Sequence, residues 1–139
     1  MVLTSCEAYI DGASSGNPGP AAYAYIIRAG GRVYRAAGRL GVATNNVAEY
    51  QALIRCLRRA LRIGCRGIAI YSDSELLVRQ MNGEYAVRSP HLLPLHEEAR
   101  RLASGFASFR ISHVPREANS EADGLVKRLL SAKKRGTLR

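Results

Sequence analysis

The chain lacks a cysteine pair at metal-binding spacing. Its three cysteines, Cys6, Cys56 and Cys65, contain no CxxC, so a tetrahedral zinc site is not expected. Cys6 and Cys56 stand at apolar positions and read as small core residues; a Cys56–Cys65 disulfide stays open. No apolar run approaches the ~20 residues that cross a bilayer, and the N-terminus has no charged-then-apolar leader pattern. The expectation is a soluble cytoplasmic protein without membrane contact. There is no internal repeat and no linker-like stretch, so residues 1–139 read as a single domain large enough to bury a core. Acid is scarce, with 11 Asp and Glu against 21 Lys and Arg, for a net charge of +10. Lysine is scarcer still: only Lys127, Lys133 and Lys134. A chain this basic favours a polyanionic partner, and guanidinium forks suit phosphates. Hydrophobic residues make up 47% and charged ones 23%, which excludes a disordered chain.

What is present begins with alternation. Cys6, Ala8 and Ile10 share one face of a strand running Cys6–Asp11, with Glu7, Tyr9 and Asp11 on the other. Gly16-Asn17-Pro18-Gly19 predicts a type II turn with Gly19 at positive φ. Residues 22–28 and 32–37 form two further strands joined by a tight turn at Gly30-Gly31, and 38–43 reads as a loop. Thr44, Asn45 and Asn46 offer caps for a helix whose stripe is Leu53, Cys56/Leu57 and Ala60/Leu61 and which Gly64 ends. Arg55, Arg59, Arg62 and Arg66 read as a solvated flank. A short strand, 68–72, leads to Asp73 and a helix capped by Asp73 or Ser74 that stops at Asn82-Gly83. A helix over 92–104, a strand with Phe109, Ile111 and His113 on its apolar face, and a last helix from about Ala118 to Leu130 complete the order βββαβααβα. The tail from residue 132 is basic and is expected to fray. This order predicts an α/β fold with one mixed sheet and helices on both faces.

Four carboxylates fall at comparable places. Asp11 and Asp73 end strands; Glu49 and Asp123 lie near the starts of helices. Each has an ordinary explanation: Asp11 a turn, Glu49 a capping box with Asn46, Asp73 a cap, Asp123 the helix dipole. If the first and fourth strands are neighbours, all four meet at one edge of the sheet. Clustered carboxylates repel and need a cation. Oxygen-only ligands select a hard ion, Mg²⁺ or Mn²⁺. Two such ions are a standard device for phosphoryl displacement.

On these pieces the chain resembles a type 1 ribonuclease H. They are Tyr-Ile-Asp-Gly-Ala-Ser with Gly-Asn-Pro-Gly, Thr-Asn-Asn-Val-Ala-Glu-Tyr-Gln-Ala-Leu, Tyr-Ser-Asp-Ser-Glu-Leu and Val-Pro-Arg-Glu-Ala-Asn-Ser-Glu-Ala-Asp, spread from Cys6 to Leu130. The resemblance implies a ribonuclease H-like, five-stranded mixed sheet in strand order 3-2-1-4-5. It implies hydrolysis of the RNA strand of RNA–DNA hybrids with two Mg²⁺ ions, which Mn²⁺ can replace, leaving 5′-phosphate and 3′-hydroxyl ends. Asp11, Glu49, Asp73 and Asp123 match the family's catalytic and metal-holding acids. Asn17, Asn45 and Asn46 match minor-groove contacts, Thr44 a phosphate contact, and Glu75 a position where many relatives carry glutamine.

Two departures stand out. The long basic insertion of many relatives is missing, because 84–91 is too short for it. The histidine that many relatives place before the last helix is also missing; that loop holds Arg116, suited to a phosphate oxygen. His113 precedes it and is expected to serve the core. The partner is thus an RNA–DNA hybrid, with double-stranded RNA as a second candidate, and the protein is expected to act as a monomer. Two alternatives stay open: a DNA-cutting nuclease of the same fold, as in integrases and junction resolvases, and a non-catalytic hybrid-binding module.

Overall fold

A computed structural model describes the backbone of residues 3–137 and the side chains of residues 5–131. The elements are β1 (Leu3–Ser14), β2 (Gly19–Ala29), β3 (Arg32–Ala43), α1 (Asn45–Ile63), β4 (Cys65–Ser72), α2 (Glu75–Met81), α3 (Leu93–Ala103), β5 (Ser108–His113), a 3₁₀ turn (Arg116–Asn119) and α4 (Ser120–Thr137). The strands form one sheet in the order β3-β2-β1-β4-β5. The first three are antiparallel, while β4 pairs parallel with both β1 and β5.

Strand alternation sorts the two faces. Cys6, Ala8 and Ile10 of β1 join Tyr25 and Ile27 of β2 in a core closed by Leu53, Cys56, Leu57 and Ala60 of α1, with α2 and α3 beside it. On the opposite face Ala22, Ala24 and Ile26 meet Ala122 and Val126 of α4. Thr44 caps α1 by accepting from the Val47 N–H at 3.2 Å, and Gly64, at φ 100°, ends it by donating to the Ala60 and Leu61 carbonyls. Ser74 rather than Asp73 caps α2, accepting from the Leu77 N–H.

One backbone contact sets the depth at which α1 lies on the sheet. A Cβ on Gly12 would fall 2.3 Å from the Ala48 carbonyl carbon and oxygen. No other residue lets β1 and α1 approach this closely. The contact places Glu49, the next residue of α1, beside Asp11.

Several expectations are corrected. Residues 38–43 are strand, because β3 stays paired with β2 as far as Gly19↔Ala43, with a register shift at Ala21/Ala22. Gly38 is there for space, since a Cβ would lie 2.8 Å from the Tyr23 ring. In the Gly16–Gly19 turn it is Gly16 that has positive φ, at 95°, and Asn17–Pro18 is cis. Gly19 instead makes a close approach, its Cβ position lying 2.0 Å from the Ser15 carbonyl oxygen. The disulfide joins Cys6 to Cys65, not Cys56 to Cys65: in the parallel pairing of β1 and β4 Cys65 opposes Leu3 and Cys6 opposes Ile68, so the two cysteines lie diagonally on neighbouring strands with their Cα atoms 6.0 Å apart. Cys56 is a buried free thiol whose pKa burial pushes far up. Arg55 and Arg59 are not merely solvated, since their guanidiniums lie 4.7 and 5.3 Å from the ring centres of Tyr23 and Tyr34; Arg66 lies on β4. His113 is exposed where β5 ends and does not cover the core. Helix α4 runs on to Thr137 rather than stopping near Leu130. The basic tail from residue 132, expected to fray, thus continues the helix as far as Thr137, and residues 138 and 139 lie outside the described residues.

Gly12→Ala should therefore cost about 3 kcal/mol or more, on the order of 10 °C in Tm, because the clash is with backbone on both sides. Thermal unfolding of the metal-free protein checks this; a loss under ~1 kcal/mol would mean that α1 can lift off without penalty.

Candidate active site

The register of the sheet builds the site. Ile10 pairs with Ser72 across β1 and β4, so the next residues, Asp11 and Asp73, stand side by side. Glu49 reaches them from the second turn of α1, one turn past its Thr44 cap, so there is no capping box with Asn46. One oxygen from each of Asp11, Glu49 and Asp73 lies within 4.8 Å of the others. Asp123 lines the same depression, of about 280 Å³, from the start of α4, and its Oδ2 is 3.1 Å from the Lys127 ammonium.

Burial is the main force on Asp11 and Glu49. It pushes Asp11 up to about 7, helped by the negative charges of Asp73 and Asp123 and opposed by the Gly12 N–H and Arg116. Glu49 is raised well above its usual range, first by burial and then by Asp11 and Asp73. Its Oε1 is buried and has no hydrogen-bond partner. Hard oxygens, an orphaned carboxylate oxygen and mutual repulsion are together what a divalent hard cation relieves, so the residues fit such an ion. Two side chains bring positive charge: Arg116 from the 3₁₀ turn, its Nε 4.0 Å from Asp73 Oδ2, and Lys127. Lys127 was missed in the sequence, where its only signal was the i, i+4 spacing from Asp123.

Beside the acids lies a polar rim. Asn17 Oδ1 accepts from the Asn45 N–H at 3.0 Å, and Asn45 Oδ1 accepts from the Ser14 N–H at 2.8 Å and its hydroxyl at 3.1 Å. The β1–β2 turn and the start of α1 are thereby tied together. Thr44 and Asn46 flank Asn45, and Asn46 is exposed. Glu75 stands apart on α2, exposed, with its carboxylate held by Arg79 at 2.8 Å.

The family model described as "Reverse transcriptase-like" matches residues 9–129. The chain is 42% identical over 126 residues to the ribonuclease HI of Halobacterium salinarum, a match covering 89% of this chain and 63% of that protein. It spans only 34% of a bifunctional protein of Mycobacterium tuberculosis that it also matches. The solved N-terminal RNase H domain of that mycobacterial protein superposes with a TM-score of 0.91 at 38% identity, covering 96% of this chain and 98% of that one. LC11-RNase H1, solved in complex with an RNA/DNA hybrid, superposes with a TM-score of 0.82 at 35% identity, covering 88% and 94%.

The raised acids fix a sign. A carboxyl whose folded pKa exceeds its unfolded value costs stability as pH rises between the two, from 3.8 to about 7 for Asp11. The metal-free protein should therefore melt lower at pH 8 than at pH 5. Asp11→Asn should raise its Tm at pH 8, by on the order of 2 kcal/mol of stability. Saturating Mg²⁺ should close the gap in the parent protein. Differential scanning calorimetry at the two pH values checks this, and a flat or inverted profile would contradict the burial of these charges.

Proposed function

Because the chain belongs to the ribonuclease H family, we propose that it is an endoribonuclease that hydrolyses the RNA strand of RNA–DNA hybrids, leaving 5′-phosphate and 3′-hydroxyl ends. The observation that carries this reading is the Asp11–Glu49–Asp73 cluster, in which Asp11 is buried and Glu49 and Asp73 are half-buried, beside the Asn17–Asn45–Ser14 network. Asp11, Glu49, Asp73 and Asp123 would hold two Mg²⁺ ions, which Mn²⁺ can replace. When bound, such ions activate water and stabilise the charge that develops on the phosphate.

The remaining roles belong to the chain's own side chains. Asn17 is held by the Asn45 N–H and the Asn45 side chain by Ser14, so the rim is ordered before substrate arrives, which lowers the entropy cost of recognition. Their free amide groups, with exposed Asn46, suit the 2′-hydroxyls and base edges of a shallow minor groove, the feature that separates RNA from DNA. Thr44 uses its oxygen as an acceptor in capping, which leaves its O–H free to donate to a phosphate of the DNA strand. Glu75 is left the lesser role of accepting from a sugar hydroxyl, since Arg79 already holds its carboxylate. Arg116 is exposed and close to Asp73, placed to hold a phosphate oxygen or to draw the cleaved phosphate away. A guanidinium does not act as a general base at working pH.

The direct test is incubation with matched hybrid, RNA duplex and DNA duplex, with Mg²⁺ or with excess chelator. Cleavage of the hybrid's RNA strand in Mg²⁺ alone is expected, as is loss of activity in Asp11→Asn and Asp73→Asn. Cleavage of the DNA duplex would favour a DNA-cutting nuclease, and hybrid binding without cleavage a recognition module. Double-stranded RNA as a second substrate is read from the same gel.

Arg116→Ala should lower kcat about tenfold, ~1.4 kcal/mol of barrier, with KM little changed. His113→Ala should alter stability by less than ~0.5 kcal/mol, given its exposure. Steady-state kinetics and Tm on one hybrid decide; a fall in kcat for His113→Ala with Arg116→Ala near the parent value would reverse the assignment.

A further inference from the structure

Asn119 has no part in the mechanism above, yet it is among the most buried polar side chains in the chain, 1% exposed. It sits at the joint between the 3₁₀ turn that carries Arg116 and the helix α4 that carries Asp123. Its Nδ2 donates to the Ile10 carbonyl at 2.8 Å, across 109 residues of sequence. Ile10 immediately precedes Asp11. A single side chain therefore ties the strand end bearing one acid to the segment bearing another acid and the arginine. Its Oδ1 is buried with no partner. A half-satisfied buried amide is costly, and such groups persist where they serve a site.

At this end of α4 the fully buried contacts are mostly between small side chains, Ala22 and Ala24 of β2 against Ala122, with Ile26, Val126 and the partly buried Leu125, Leu129 and Leu130 packed on the same patch. The Arg35–Glu121 ion pair also joins the first turn of α4 to β3, but it is exposed, and such pairs contribute little. Gly124 follows Asp123 directly and has nothing within 4 Å of its Cβ position. A glycine there softens the helix at the residue that must be placed.

We propose that Asn119 is a positioning residue: its bond to the Ile10 carbonyl sets where α4 starts relative to β1, and hence the distance of Asp123, and of Arg116, from Asp11. The inference rests on the metal-dependent nuclease reading. It adds that metal affinity and turnover depend on an amide that touches neither metal nor substrate.

The test uses Asn119→Ala and the near-isosteric Asn119→Leu, which removes the tie and the orphaned Oδ1 while keeping volume. Leu57→Ala, a core substitution in α1 away from the acids, is the destabilised control. Three quantities are measured well below each variant's Tm: half-saturating Mg²⁺ for hybrid cleavage, kcat at saturating Mg²⁺, and calorimetric Mn²⁺ binding without substrate. Loss of an outer tie of this kind is expected to weaken metal binding on the order of tenfold and to lower kcat. Leu57→Ala should keep the parent metal affinity despite its lower Tm. Should Asn119→Ala fail to fold, Asn119→Leu decides alone. Parent-like Mn²⁺ affinity and kcat in a folded Asn119 variant would overturn the proposal and leave Asn119 a purely structural residue. If the parent protein itself bound no metal and cut no hybrid, the nuclease reading would fall instead, which these measurements separate from failure of the positioning role.

Discussion

The closeness of α1 to β1 at Gly12 is the constraint on which the rest depends. With 2.3 Å between the missing Cβ and the Ala48 carbonyl, the helix lies deep enough to bury its stripe against Ala8 and Ile10, and deep enough to bring Glu49 into the shadow of Asp11. The same closeness removes water from both carboxylates and raises both pKa values. The packing that stabilises the core therefore destabilises the charges at its edge. The fold tolerates this because the cluster stands where a cation can enter.

Much of this could be read in the chain because it is local or periodic. Alternation in 6–10, the 3.6-residue stripe in 53–61 and the Gly30-Gly31 turn each follow from neighbours a few residues apart. The four acids were visible for the same reason, each at the end of a strand or near the start of a helix. The misreadings have a common physical source. Gly38 and Gly41 looked like loop residues, but Gly38 makes room for the Tyr23 ring of a neighbouring strand. The Cys6–Cys65 bond depends on a parallel pairing between segments 59 residues apart, which no local pattern reports. His113 kept the parity of Ile111, but the core ends before it does. Asn119 lay in plain view within a recognised motif; its role follows only from a partner 109 residues away.

The tie between Asn17, Asn45 and Ser14 bears on substrate choice. It joins the turn after β1 to the start of α1, the same two elements that Gly12 brings together. The side chains proposed to recognise substrate and the acids proposed to hold metal are therefore mounted on one corner. A side chain that reads a sugar hydroxyl has to be fixed relative to the group that attacks the neighbouring phosphate, since misplacement by about 1 Å can cost on the order of a hundredfold in rate. On the proposed reading, sharing the corner would meet that need.

The charge distribution then separates attraction from chemistry. The chain as a whole carries +10, and a field of that sign draws in a polyanion over roughly a Debye length. The active site has the opposite local balance: Asp11, Glu49, Asp73 and Asp123 line it against Arg116 and Lys127. A phosphate steered to the surface would be repelled at the place where the proposed reaction occurs. Protonation of Asp11 and Glu49 relieves that repulsion only by neutralising the groups that would hold a metal. A divalent cation would relieve it while keeping them charged, so on the proposed reading the ion would serve the approach of the substrate as well as the breaking of the bond.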